Sequence, residues 1–160
     1  MKLIKFEKHH YQILIDWIKD EETLFLFAGI GMSYPLTIDQ LKQYFLMYPD
    51  RKPFLGLNTD GFPIAFGEII PQDELSSRLG HLLIGESQQR GKGIGEKFIK
   101  ALNQEAKAIA AIKKMELYVL EGNALAINCY QKSGFQFIPN DFKIIYKEKV
   151  YNILKMTLIL

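Results

Sequence analysis

The chain predicts a mixed α/β fold, and three observations carry that expectation. Helical periodicity dominates residues 9–48, strand-like runs bounded by turn signals fill residues 53–84, and strands then alternate with helices to the end. No internal repeat, low-complexity tract or linker interrupts the pattern, and 160 residues suit a single domain over 1–160.

The elements follow in order. Leu3–Phe6 reads as a short first strand. From His9 to Ile18, apolar residues at Tyr11, Ile13, Leu14, Ile15, Trp17 and Ile18 make a helix with one wet side. Asp20 to Pro35 carries no clear period, and Gly29 and Gly31 mark it as a loop. Thr37 is a good N-cap with Gln40 at the capping-box position, and Leu41, Tyr44, Phe45 and Tyr48 follow at helical spacing. Pro53–Leu57 and Pro63–Ile70 are strand-like on either side of the turn Asn58-Thr59-Asp60-Gly61. Leu79–Ile84 is the next strand. A helix then opens at a glycine-rich loop and buries Ile94, Phe98, Ile99, Leu102 and Ala106 on one face. In the strand Met115–Leu120, Met115, Leu117 and Val119 alternate with Glu116, Tyr118 and Leu120. Asn123 to Ser133 is a short helix stopped by Gly134, and the strands Phe135–Ile138 and Tyr151–Ile159 flank a Pro139-Asn140-Asp141 turn.

Composition narrows the class. Apolar residues at 48% and charged residues at 24% describe a folded globular chain rather than a disordered one. A net charge of +2 is too small an excess to argue for nucleic acid or a membrane surface as partner. Cys129 is the single cysteine, so no internal disulfide forms and a reducing cytoplasm is the expected compartment. Met1 to Tyr11 carries charges and histidines where a signal peptide needs an apolar core, and Ile153–Leu160 is broken by Lys155 before it approaches a membrane span. His9-His10 has no spaced partner, so no metal site is expected. Nothing beside Cys129 in sequence lowers its thiol pKa, and it reads as a packed residue rather than a nucleophile. Asp16, Asp20, Glu21 and Glu22 read as a solvated helix end, with recognition of a cationic amine as the sharper alternative.

The chemistry concentrates at Arg90-Gly91-Lys92-Gly93-Ile94-Gly95. Glycines at a helix start let the backbone approach a ligand closely, and the unpaired N–H groups of the first turn favour an anion such as pyrophosphate. Two familiar phosphate loops fail on spacing. The order here is G-x-G-x-G with Glu86 to Arg90 intervening after the strand, not the G-x-G-x-x-G of a dinucleotide fold. A Walker loop has four residues between its first glycine and Gly-Lys; from Gly85 there are five, and Gly93 stands where the hydroxyl should be.

A second motif follows the next strand: Asn123, Ala126, Tyr130, Gly134 and Phe135 in the order N-x-x-A-x-x-x-Y-x-x-x-G-F. With Arg90, Gly93 and Gly95 in the pattern Q/R-x-x-G-x-G/A, the chain resembles the GNAT N-acetyltransferase superfamily. Ile84-Gly85-Glu86 looks most like the branch acting on ribosomal-protein N-termini, polyamines and aminoglycosides. The resemblance implies a central, mostly antiparallel twisted sheet splayed between its fourth and fifth strands, with helices on both faces. It implies acetyl-CoA as co-substrate and no metal. It implies that Leu82, Leu83 and Ile84 hold the pantetheine through their backbone. The amides of Arg90, Gly91, Lys92, Gly93, Ile94 and Gly95 then hold the pyrophosphate, and Asn123 contacts the pantetheine arm.

Tyr130 is the general acid that the resemblance implies, since a departing thiolate needs a proton within hydrogen-bond reach. For the general base, Glu68 is an acid within an apolar strand, and His81 lies on the strand expected to flank the acetyl group. Glu68 ranks narrowly first, directly or through water. The expected activity is direct transfer of acetyl to a primary amine of a small molecule or a protein N-terminus in a ternary complex. The alternative is a non-catalytic acyl-CoA-binding sensor on the same fold. Neither nucleic acid nor membrane is expected as partner, and a homodimer, common among such proteins, stays open.

Overall fold

The computed structural model describes residues 1–86, 91–109 and 111–160. In chain order its first elements are β1 (Lys2–Lys5), α1 (Tyr11–Trp17), α2 (Glu21–Ala28), α3 (Ile38–Met47), β2 (Lys52–Leu57), β3 (Pro63–Pro71) and β4 (Ser76–Ile84). There follow α4 (Ile94–Ile109), β5 (Lys114–Leu120), α5 (Ala124–Lys132), β6 (Gln136–Ile138), β7 (Lys143–Tyr146) and β8 (Lys149–Ile159). The strands join in the order β1-β2-β3-β4-β5-β8-β6, and β7 pairs only with β8. Every pairing is antiparallel except β4 with β5.

The sheet carries a core on each face. On one, Phe98, Ile99, Leu102 and Ala106 of α4 pack on Ala65, Ile69, Leu79, Met115, Leu117 and Met156. Each large side chain removed fully from water there contributes about 1.5–3 kcal/mol, well above the few tenths that helix propensity decides per residue. On the other face, Tyr11, Leu14, Leu24, Phe27 and Leu41 from α1, α2 and α3 cover Leu55, Phe66 and Leu83.

The feature that positions everything else is the parting of β4 and β5. They pair only over Ser76–Leu79 against Lys114–Leu117, although β4 continues to Ile84 and β5 to Leu120. A bulge in β4 accompanies the split. Phe66 opposes Leu83 and Glu68 opposes Gly80, so His81 and Leu82 together face Gly67 alone. His81 adopts φ 48°, the left-handed region that bulges of this kind impose on one residue. Gly67 fits beneath the bulge because a Cβ there would sit 2.7 Å from the Leu82 side chain and 2.9 Å from Phe98.

Two elements depart from the sequence expectation. Asp20–Pro35 is not all loop: α2 fills its first half, with the Asp20 carboxylate accepting the Thr23 N–H at 2.7 Å as N-cap. Its run Leu24-Phe25-Leu26-Phe27 is apolar on every side, which hides the helical period; Leu26 is the member left exposed. The turn after Phe135–Ile138 leads not straight to the last strand but into β7. The β7–β8 hairpin turns through Lys147 and Glu148, at φ 47° and 61°. Such turns usually announce themselves with Asn-Gly, and this one does not. Glu116, which alternation places on a wet face, is buried and paired with Lys155 at 2.9 Å and Lys114 at 3.1 Å.

Candidate active site

The glycine loop meets α4 as its spacing suggests. Gly91 and Gly93 sit at φ 77° and 74°, conformations that favour glycine, and a Cβ added at either would meet none of the described residues within 4 Å. Lys97 N–H bonds Gly93 O at 3.2 Å, so the helical ladder starts there and the preceding amides are left without helical acceptors. Gly95 is different: a Cβ there would lie 2.8 Å from Cys129 Sγ, so its absence lets α4 lie against α5. Lys92 is exposed, Ile94 is half-buried as the first residue of α4, and Arg90 lies outside the described residues.

A cavity of about 440 Å³ extends from this helix terminus into the opening between β4 and β5. Gly91, Gly93, Gly95 and Glu96 line one end, with Asn123, Ala126, Cys129 and Tyr130 beside them. Leu82, Leu83 and Ile84 form one wall and Leu117 to Leu120 the other. Because β4 no longer pairs with β5 beyond Leu79, the edge of Gly80 to Leu83 faces the cavity. Asn123 also caps α5, its Oδ1 accepting the Ala126 N–H at 3.2 Å. The far end reaches the opposite face of the sheet, where Phe25 and Phe27 of α2, Ile144 of β7 and Ile153 of β8 line it.

Tyr130 stands on the α5 wall, half-buried, its ring edge-on to Phe135 at 6.4 Å. Its hydroxyl bonds no other group among the described residues. Burial, and then the neighbouring Cys129, push its pKa well above the usual phenol value, so it holds its proton. Burial likewise raises the Cys129 thiol, which fits the packed role expected of it.

Glu68 and His81 come together, but with different access. Glu68 is 1% exposed and does not line the cavity; His81 does. His81 Nδ1 lies 3.2 Å from Glu68 Oε2 and 3.0 Å from the Tyr44 hydroxyl. Tyr44 donates to Glu68 Oε2 at 2.7 Å and accepts from Arg51, whose guanidinium is 3.5 Å from the same carboxylate. With the Tyr44 proton committed to Glu68, hydrogen-bond logic places the His81 proton on Nδ1 and leaves Nε2 as the acceptor. Burial alone would raise the Glu68 pKa. Hydrogen bonds from His81 and Tyr44 and the Arg51 charge outweigh it and hold the carboxyl below its ordinary range. Burial, then the Glu68 charge, drives the Tyr44 phenol far up, so it stays a donor.

Tyr44 and Arg51 escaped the sequence reading. Tyr44 is 24 residues from Glu68 and 37 from His81, and its helical spacing marks it only as a core residue. Arg51 follows a turn in a polar stretch, with no local sign of its partners.

Residues 11–135 match the Acetyltransferase (GNAT) family. The spermine/spermidine N(1)-acetyltransferase of Bacillus subtilis is 30% identical over 104 residues, 59% of this chain and 68% of that protein. The fold is also that of a spermidine N-acetyltransferase from Vibrio cholerae solved with CoA and spermine. That likeness has a TM-score of 0.82 at 15% identity, over 99% of this chain and 94% of the other. An aminoglycoside acetyltransferase solved with coenzyme A superposes at a TM-score of 0.76 with 19% identity, over 99% and 94% of the two chains. The chain belongs to the GNAT acetyltransferase family. It is an acetyl-CoA-dependent N-acetyltransferase, with the fold class that its two motifs suggested.

Proposed function

We propose that the protein transfers acetyl from acetyl-CoA to the primary amine of a small molecule, with His81 as general base and Tyr130 as general acid. The observation that carries this reading is the single cavity onto which the glycine terminus of α4, Tyr130 and His81 all open. The names of the relatives, acetyltransferases of spermine, spermidine and aminoglycosides, support a small-molecule amine as acceptor.

The donor binds along the α4 side. Backbone N–H groups from Gly91 to Gly95 and the positive end of the α4 dipole match the pyrophosphate. The edge of β4 from Leu82 to Ile84, with Asn123 opposite, takes the pantetheine arm. Acetyl-CoA supplies a thioester whose acyl carbon the amine attacks. His81 Nε2 removes one proton from the incoming ammonium and later passes it to solvent. The free amine attacks, the N–C bond forms as the C–S bond breaks, and Tyr130 gives its proton to the departing sulfur. The second proton, lost by the acetylated nitrogen, restores the Tyr130 phenol. Glu68 does not touch the substrate. It fixes the His81 tautomer and stabilises the imidazolium that forms, while Tyr44 and Arg51 hold Glu68.

The test is release of free CoA thiol with a broad set of primary amines. His81→Ala is expected to lower kcat/KM by about 100-fold or more, the usual scale of a lost general base. Full activity in His81→Ala would overturn the role of His81. Absence of transfer to every amine, with acetyl-CoA still raising Tm, would overturn the catalytic reading and leave a sensor.

A further inference from the structure

We infer that the acceptor is a primary monoamine with an apolar alkyl or aryl body rather than a polyamine, an inference that rests on the acetyl-transfer reading of the same cavity. The donor enters beside α4 and α5, so the amine reaches the thioester from the opposite end of the cavity, where His81 stands. That end is lined mainly by Phe25, Leu26, Phe27, Tyr118, Ile144 and Ile153, with Thr23 of α2 beside them. Among the described residues lining the whole cavity the only carboxylate is Glu96, which belongs to the α4 terminus on the donor side.

A polyamine brings several ammonium groups out of water, and each needs a carboxylate or an open aromatic face to replace its hydration. Three carboxylates stand near the acceptor end, but the chain's own cations already hold them. Glu21 is 2.6 Å from Lys147 Nζ and accepts from the Tyr146 hydroxyl at 2.7 Å. Glu116 is held between Lys155 and Lys114, and Glu68 has Arg51 beside it. Glu22, the other acid of the first turn of α2, does not line the cavity.

The aromatic faces are committed too. The Arg78 guanidinium lies 5.2 Å from the Tyr118 ring and Lys155 Nζ lies 5.7 Å from it. Phe25 stacks on Tyr146 at 4.3 Å and meets Tyr151 edge-on at 4.9 Å. Among the described residues, what that end offers a ligand is mostly apolar surface, Thr23 and one ring nitrogen, that of His81. One amine can be served there, and the rest of the acceptor must be content without charge partners.

The experiment compares initial rates of CoA release with 2-phenylethylamine, hexylamine, spermidine and spermine at fixed acetyl-CoA and ionic strength. A kcat/KM at least tenfold higher for the two monoamines supports the inference. Spermidine or spermine equal to or better than both monoamines would overturn it while leaving the acetyl-transfer reading intact. If none of these four amines nor any other primary amine accepts acetyl, the acetyl-transfer reading itself fails. Ile144→Glu then places an unpaired carboxylate in the acceptor end. With Tm and acetyl-CoA affinity retained, its ratio of spermidine to hexylamine kcat/KM is expected to rise at least fivefold, and an unchanged ratio counts against the inference.

Discussion

Glu68 is a carboxylate within a sheet, 1% exposed, and it stays charged because three neighbours from two other segments address it. A residue that acts through another has a recognisable kinetic signature. Glu68→Gln keeps the shape but loses a charge-assisted hydrogen bond to His81, worth about 1.5–3 kcal/mol, so kcat/KM is expected to fall by roughly tenfold or more. In a His81→Ala background the same change should cost almost nothing. Additive losses in that double-mutant cycle would mean Glu68 works independently of His81. Tyr130 makes the contrasting case, because it lines the cavity and its hydroxyl has no partner among the described residues. Tyr130→Phe is expected to lower kcat by about 100-fold with acetyl-CoA affinity unchanged, measured by steady-state kinetics and by calorimetric titration. Loss of affinity with kcat preserved would make it a packing residue. The sequence singled out Glu68, His81 and Tyr130 by type and position, yet which of Glu68 and His81 reaches the cavity depends on burial. Tyr44 and Arg51 hold the buried Glu68 carboxylate, and no spacing rule links them to Glu68 or His81.

At the scale of elements, the fold was most legible where one face is wet and the other dry. The period of α4, the N-cap Thr37 and the Asn58–Gly61 turn are local signals that packing did not override. Legibility failed where local signals are absent by construction. The core of α2 is apolar all round, and the β7–β8 turn uses Lys147-Glu148 at positive φ without a glycine. Both misread elements line the end of the cavity away from α4, so the glycine loop was legible in sequence and the far wall of the cavity was not. The α4–α5 contact offers a direct check of how the donor end is built. Gly95→Val pushes a branched side chain into Cys129 Sγ, and overpacking of this kind costs about 1–3 kcal/mol. For a chain of this size that is a fall in Tm of roughly 2–4 °C per kcal/mol, accompanied by weaker acetyl-CoA binding. Adding Cys129→Ala is expected to restore part of both, measured by thermal melts with and without acetyl-CoA. No restoration would mean the strain is taken up by the loop rather than by α5.

Across the whole molecule, the paired carboxylates Glu21, Glu68 and Glu116 tie distant segments together, and they set its response to acid. Glu68 links α3 to β3 and β4, Glu116 links β5 to β8, and Glu21 links α2 to the β7–β8 hairpin. The Glu21 carboxyl is lowered by its hydrogen bonds from Lys147 and Tyr146. Burial works against Glu116 and Glu68, but their partners hold both below the ordinary value of 4.5. Asp73, bonded by Ser76, is also lowered. A depressed folded-state pKa means the unfolded chain binds more protons below the ordinary carboxylate range. The stability these groups contribute is therefore fully present above pH 4.5 and is lost as pH falls through the folded-state values. His10, lowered by burial and by His9, adds a gentler loss that begins below 6.5. Lys147 and Lys155 are raised by Glu21 and Glu116, so their contribution persists at neutral pH and fades only as pH climbs past 10.5. Tm is thus expected to be nearly level from about pH 7 to 9 and to drop steeply below pH 4.5. Because Glu68 and Glu116 are the buried members, Glu68→Gln and Glu116→Gln should start from a lower Tm at pH 7 and flatten that acid slope. Hydrogen exchange at pH 4 should then show β4, β5 and the β7–β8 hairpin opening before α4. A Tm that stays level to pH 3.5, or an acid slope unchanged in both variants, would mean these pairs are too well solvated to hold the two halves of the cavity together.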